Sequence, residues 1–335
     1  MLPLPRQETT PQKQQHPAVD ATARNASIDG LRVVGILAVV FAHVYTQPVV
    51  HQWVYPWHVP LFFALTGYFF RPGRPFRAHL RSRVLTLVVP YAGWLLVVGA
   101  LAMAIPNPVG RLHLADLGGV LEGGSNGHEP FGAFWFIGAL FIASLLYVPV
   151  SGLPAWQQAV VALGALAAGT FSGAWLAALP LSVGQGLYCL FFVIAGRGIA
   201  TVQRRIRHRA LIGPILLGCA VILTGVLPVT PPDLKNGILG TPVVMPLLSV
   251  LFVTALILTA SSIRLPRWAV PAVLAVAGTA TVVVLSHSLV IWELKQYAAQ
   301  PKWILLAAIL VPFVAALLLA QLKRILPASG RSDTS

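Results

Sequence analysis

Apolar residues in this chain gather into ten long runs, and the arginines, lysines, prolines and glycines collect in the short stretches between them. The approximate limits are Gly30–Val50, Tyr55–Phe70, Val84–Ile105, Phe134–Leu153, Gln157–Trp175, Leu181–Ala200, Ala210–Leu227, Thr241–Ser262, Ala269–Ile291 and Trp303–Leu322. Each lies near the ~20 residues a helix needs to cross a membrane. The pattern therefore predicts an all-α integral membrane protein, a polytopic bundle of about ten transmembrane helices. Met1–Ser27 is polar, rich in Gln, Pro and Thr, and lacks the apolar h-region of a secretory signal peptide. It reads as a disordered cytoplasmic tail, and Pro327–Ser335 as a shorter one. Residues 28–326 then make one membrane domain, because the longest gap, from about Pro106 to Ala133, has no room for a soluble domain.

Composition narrows the class. The chain is 57% hydrophobic and 10% charged, against about 25% charged residues in a soluble domain. A soluble globular enzyme is excluded, as is a disordered or collagenous chain. The formal charge of +14 raises nucleic acid as a partner. No solvated basic domain is available to bind it, so no nucleic-acid partner is expected. The basic residues instead set orientation. With the N-terminus inside, 19 of the 23 Lys and Arg fall in cytoplasmic segments. Asp116, Glu122, Glu129, Asp233 and Glu293 fall in external ones. Ten spans with both termini cytoplasmic in the cell's inner membrane satisfy this rule, whereas nine would misplace the last basic cluster. Cys189 and Cys219 both lie within apolar runs and form no CxxC pair.

Ionisable residues inside a membrane span are costly, so each is a functional hypothesis. The first span holds Asp29 and Arg32, one helical turn apart, followed by His43. Eleven residues make three turns plus about 20°, so the three share one stripe, with His43 about 16 Å deeper than Arg32. One reading makes Asp29 and Arg32 an interfacial anchor and His43 a bond between helices; the other makes the stripe catalytic. His58 opens the second span and should face His43, unless it belongs to an aromatic belt with Trp53, Tyr55 and Trp57. Five arginines from Arg71 to Arg83, including Arg77 and Arg81, satisfy the topology rule and would also suit a phosphorylated cytosolic ligand. Trp135 could line a pocket mouth or anchor the interface. His287 lies near the outer end of the ninth span with Glu293 just beyond. Three outer histidines invite zinc, but none has metal-ligand spacing, and no metal is expected.

In this order the residues resemble the acyltransferase-3 family of integral-membrane O-acyltransferases. The resemblance rests on Asp29-Gly30-Leu31-Arg32 with His43, and on His58 through Tyr68, a form similar to the fucose 4-O-acetylase-like branch. Arg83 with Val89-Pro90-Tyr91, Trp135-Phe136-Ile137, and Gly278-Thr279 leading to His287 extend it. Two positions depart from it: Thr86 stands where a second basic residue is common, and Ala133 where many members carry His. The resemblance implies transfer of an acyl group, acetyl in the first instance, from cytosolic acyl-CoA to a hydroxyl across the membrane. The acceptor would be an extracytoplasmic glycan or glycolipid, with membrane lipids as the other partner; no oligomeric state follows.

On this reading His43 is the general base, its unperturbed pKa of about 6.5 lying near working pH. Arg32 and Asp29 hold the first span and help place the donor, and His58 orients His43 or binds acceptor. Arg77, Arg81 and Arg83 bind acyl-CoA, while Trp135, His287 and Glu293 bind acceptor. The competing expectation is a transporter or flippase in which His43 and Asp29 relay protons. Internal repeats would favour it, and the two halves of the chain share no convincing one.

Overall fold

The protein is described by a computed structural model covering residues 17–105, 118–122 and 124–325. No strand forms among these residues beyond one isolated antiparallel bridge between Asp233 and Ile238. The helices in chain order are α1 (Pro17–Val44), α2 (Pro48–Val54), α3 (His58–Tyr68), α4 (Phe76–Arg83), α5 (Val89–Ala104), α6 (Gly118–Glu122) and α7 (Phe134–Val150). They continue as α8 (Ala155–Ala177), α9 (Val183–Val202), α10 (Arg209–Val226), α11 (Val244–Ser262), α12 (Val270–Gly278), α13 (Ala280–Gln296) and α14 (Pro301–Ile325).

Among the described residues seven helical stretches are long and apolar enough to cross a membrane, and α12 with α13 makes an eighth if that bent pair is one span. The chain is thus an all-α, multi-pass membrane protein. All ten apolar runs fold as helices, but α7 and α3 fall short of a spanning length on their own. Helix α7 has 17 residues. Helix α3 has 11, about 16 Å, roughly half of a 30 Å core. An apolar run does not separate a spanning helix from a buried one. Here Pro56 interrupts the run at its start, and Arg71-Pro72-Gly73 ends it. The N-terminal boundary also moves: α1 begins at Pro17, upstream of the expected end of the tail at Ser27. The rest of the two expected tails lies outside the described residues.

Helix α3 is apolar on every side, which suits a helix enclosed by others. It packs against α9, α1, α11 and α7. Its crossing with α9 is a backbone contact: a Cβ on Gly67 would stand 1.8 Å from the Val193 carbonyl oxygen. One on Gly196 would stand 1.9 Å from that of Ala64. Only glycine lets the two helices approach so closely. Between α4 and α5, residues Val84–Val88 widen into a π-helical turn just before Pro90, which has no N–H to continue the ladder. The α12–α13 pair bends by 55° at Gly278-Thr279. Helix α1 lies against α3, α11, α12, α13 and α14, so its residues reach the interior along much of its length.

At the His43 end of α1 the bundle is capped by two loops. The α10–α11 connection is held by a mutual close approach of Gly173 and Gly237, where a Cβ on either would lie 2.0 Å from the other's carbonyl oxygen. Gly237 has φ +73°, a conformation that glycine adopts without strain. Tyr188 Oη donates to the Leu234 carbonyl at 2.5 Å. The fully buried Gln185 amide donates to the carbonyls of Ala177 and Lys235, at 2.9 and 3.2 Å. The second loop, from Gly124 to Ala133, is tied down by Gly124 N–H donating to Ser182 Oγ at 3.1 Å.

Candidate active site

Beneath these loops lies a cavity of about 330 Å³. Val39, Ala42, Val59 and Phe62 give it apolar walls from α1 and α3. Trp135 and Phe136, at the start of α7, add aromatic faces. The polar groups include His43, Tyr55, His58, His128, Glu129, Asp233, Lys235 and Lys295. Apolar walls with a few convergent polar groups are the usual make-up of a small-molecule site.

His43 occupies the last turn of α1, one residue from its end, because α1 stops at Val44 and not at Val50 as the hydropathy suggested. It therefore stands at the end of its span, where the cavity opens, and not at the centre of a longer helix. Its Nδ1 lies 3.2 Å from Nε2 of His287, with ring centroids 5.0 Å apart and tilted by 49°. His287 is fully buried on α13, and its Nδ1–H donates to the Val283 carbonyl at 2.9 Å. Ser288 Oγ is 3.5 Å from the same Nε2.

His58, expected to face His43, shares its cavity, while the ring hydrogen-bonded to His43 is that of His287. The Nδ1–H of His58 is committed to the Val54 carbonyl at 2.9 Å, and its ring packs on Tyr55. Trp135 is where a pocket residue should be. Glu293 is not among the cavity residues: six positions beyond His287, it points ~240° round α13.

The loops contribute charges that the sequence marked only as external. Lys235 Nζ donates to the Gly127 carbonyl at 2.5 Å, stitching the two loops together. Burial holds its ammonium below the usual lysine range, against the opposing pull of Asp233 and Glu129. Lys295 pairs with Glu129 at 3.3 Å, an exposed ion pair whose contribution to stability is small. Asp233 caps the short turn after it, accepting from Asn236 Nδ2 at 2.7 Å.

The other end of the α1 stripe is cationic. Arg32 Nη1 meets Asp29 Oδ1 at 2.6 Å, and its guanidinium carbon sits 4.7 Å above the Phe69 ring. Arg83 lies within electrostatic reach of both Arg32 and Arg74. Of the three arginines expected at a phosphate site, Arg83 is half-buried in this group, whereas Arg77 and Arg81 are exposed on α4. Arg74, exposed like them, is also within electrostatic reach of Arg83. Arg32, Arg74 and Arg83 thus gather positive charge here, with Arg32 already paired to Asp29.

A multi-pass helical protein with cations at one end of a helix and an imidazole pair in a cavity at the other has the parts of a membrane acyl-transfer enzyme. A family model described as an acyltransferase domain matches residues 25–322, and the chain belongs to the acyltransferase-3 family. It is therefore a membrane acyltransferase. No curated protein and no solved structure matches it.

Proposed function

We propose that this enzyme is an O-acyltransferase of the inner cell membrane. It moves an acyl group, acetyl in the first instance, from cytosolic acyl-CoA to a hydroxyl of an extracytoplasmic glycan or glycolipid. The observation that carries the reading is the division of chemistry along α1, with the Arg32–Arg74–Arg83 group at one end and the His43 cavity at the other. The arginines suit the CoA phosphates, which they can grip bidentately. The cavity suits a sugar: Trp135 offers a flat apolar face, and the Glu129 and Asp233 carboxylates can accept hydroxyl protons. In the reaction His43 takes the acceptor's hydroxyl proton as its oxygen attacks the thioester carbonyl. The tetrahedral intermediate expels the CoA thiolate, which receives a proton, giving the O-acyl product and free CoA.

In the fold that goes with this reading, the ten helical runs are ten passes, the short α3 running from His58 at the cavity to Phe69 under Arg32, with both termini in the cytoplasm and the cavity outside. Reporter tags at Met1 and Ser335 should both be cytoplasmic, and one at Gly124 external. Termini on opposite sides would break the assignment of the two ends of α1. Arg83→Gln should raise the KM for acetyl-CoA about tenfold with little change in kcat, the scale of one charge-assisted hydrogen bond. An unchanged KM would leave Arg83 with a topological role only. The proposal as a whole is tested with purified protein, labelled acetyl-CoA and a panel of mono- and oligosaccharides. Label transferred to a sugar hydroxyl is the expected result; no transfer to any sugar would overturn the glycan assignment.

A further inference from the structure

The histidine partner of His43 sits 244 positions away on another helix, and with both rings neutral their hydrogen bonds have one consistent protonation. The Val283 carbonyl can only accept, so the His287 nitrogen facing it, Nδ1, carries the proton. A neutral imidazole has one N–H, which leaves His287 Nε2 as an acceptor. At 3.2 Å from it stands His43 Nδ1, so that nitrogen must be the donor; were it bare, two lone pairs would face each other. Ser288 Oγ, at 3.5 Å, is the more distant neighbour. The remaining nitrogen of His43, Nε2, has no hydrogen-bond partner among the described residues, and His43 lines the cavity.

We propose that His287 is a positioning residue for the acyl transfer, holding His43 in the Nδ1–H form so that its bare Nε2 is presented to the acceptor hydroxyl. The proposal rests on the reading of His43 as general base. His287 is suited to the task because it cannot swing: it is fully buried, one turn from its own carbonyl anchor, between the buried Ser286 and Ser288. The relay conserves protons. When Nε2 of His43 takes the hydroxyl proton, the proton on Nδ1 can shift to His287 Nε2, spreading the positive charge over two rings. It returns as His43 Nε2–H protonates the departing thiolate.

Two measurements test this. In full-length protein labelled with ¹⁵N in its histidine rings, solid-state NMR should show His43 as the Nδ1–H form, its signals assigned by their loss in His43→Gln. In kinetics, His287→Leu should lose about 10²-fold in kcat at unchanged KM for acetyl-CoA, whereas His287→Gln, whose amide oxygen can accept the same bond, should stay within about tenfold of the parent. An Nε2–H form of His43, or equal kcat for the Leu and Gln variants, would overturn the proposal. If His287→Leu does not fold, the tautomer of the parent decides the matter alone. An inactive His43→Gln beside a fully active His287→Leu sinks only the relay, while an active His43→Gln sinks the base assignment with it.

Discussion

His43→Gln should lower acyl transfer by about 10² to 10⁴, the usual worth of a general base. Expression, thermal midpoint and KM for acetyl-CoA should stay near the parent values. Glutamine keeps the size of the side chain and a hydrogen-bonding amide, so contacts with α13 can survive. It cannot take up a proton. If His43 served only to join α1 to α13, glutamine would largely preserve turnover, and alanine would act through stability. Turnover of the Gln variant within a few-fold of the parent would therefore remove His43 from the chemistry. His58 would then be the next candidate, since it lines the same cavity.

Gly196→Val should do to the fold what His43→Gln does to the chemistry. The new Cβ would meet the Ala64 carbonyl at 1.9 Å, and that atom belongs to helix backbone, not to a side chain that can turn aside. Overpacking a core commonly costs about 1–3 kcal/mol, and a rigid obstruction belongs at the top of that range. The variant should show a lowered melting midpoint in detergent and a larger aggregated fraction on size exclusion. Gly198, two residues on, has nothing within 4 Å of its would-be Cβ, so Gly198→Ala is the matched control and should melt like the parent. Parent-like melting of Gly196→Val would mean that α3 and α9 do not cross at this distance.

Much of this arrangement was legible in the chain. Each of the ten apolar runs marked a helix, whereas the polar α4 and the start of α1 before Ser27 did not stand out. His43 was singled out as an ionisable residue inside a span, while His58 and Trp135 stayed open between pocket and interface. What the pattern missed is physical in origin. His43 and His287 are joined through space by helices that adjoin only after folding, and no local periodicity encodes such a pair. The phosphate-site expectation took arginines by proximity along the chain, and could not show that Arg83 comes within electrostatic reach of Arg32 on another helix. Lys235 and Asp233 looked like ordinary loop charges because nothing near them reveals that Gly237 seats their loop against α8. The half-length of α3 was hidden by the same blindness: hydropathy reports what a helix touches, which is equally apolar for a lipid neighbour and a protein one.

Because Arg32 and His43 ride on one continuous helix, α1 is a ruler as well as a span. It fixes both how far apart the two ends of the reaction stand, about 16 Å, and the angle between them, about 20°. The residues between are not idle, since Val39 and Ala42 line the cavity and a Cβ on Gly35 would stand 2.9 Å from the Phe62 ring. Their number cannot change. One residue gained or lost would turn one end by ~100° away from its partners, pulling His43 off His287 or Arg32 off Arg83. The stretch from Arg32 to His43 is thus fixed in length whatever its composition, a constraint that belongs to the measure and not to any single side chain.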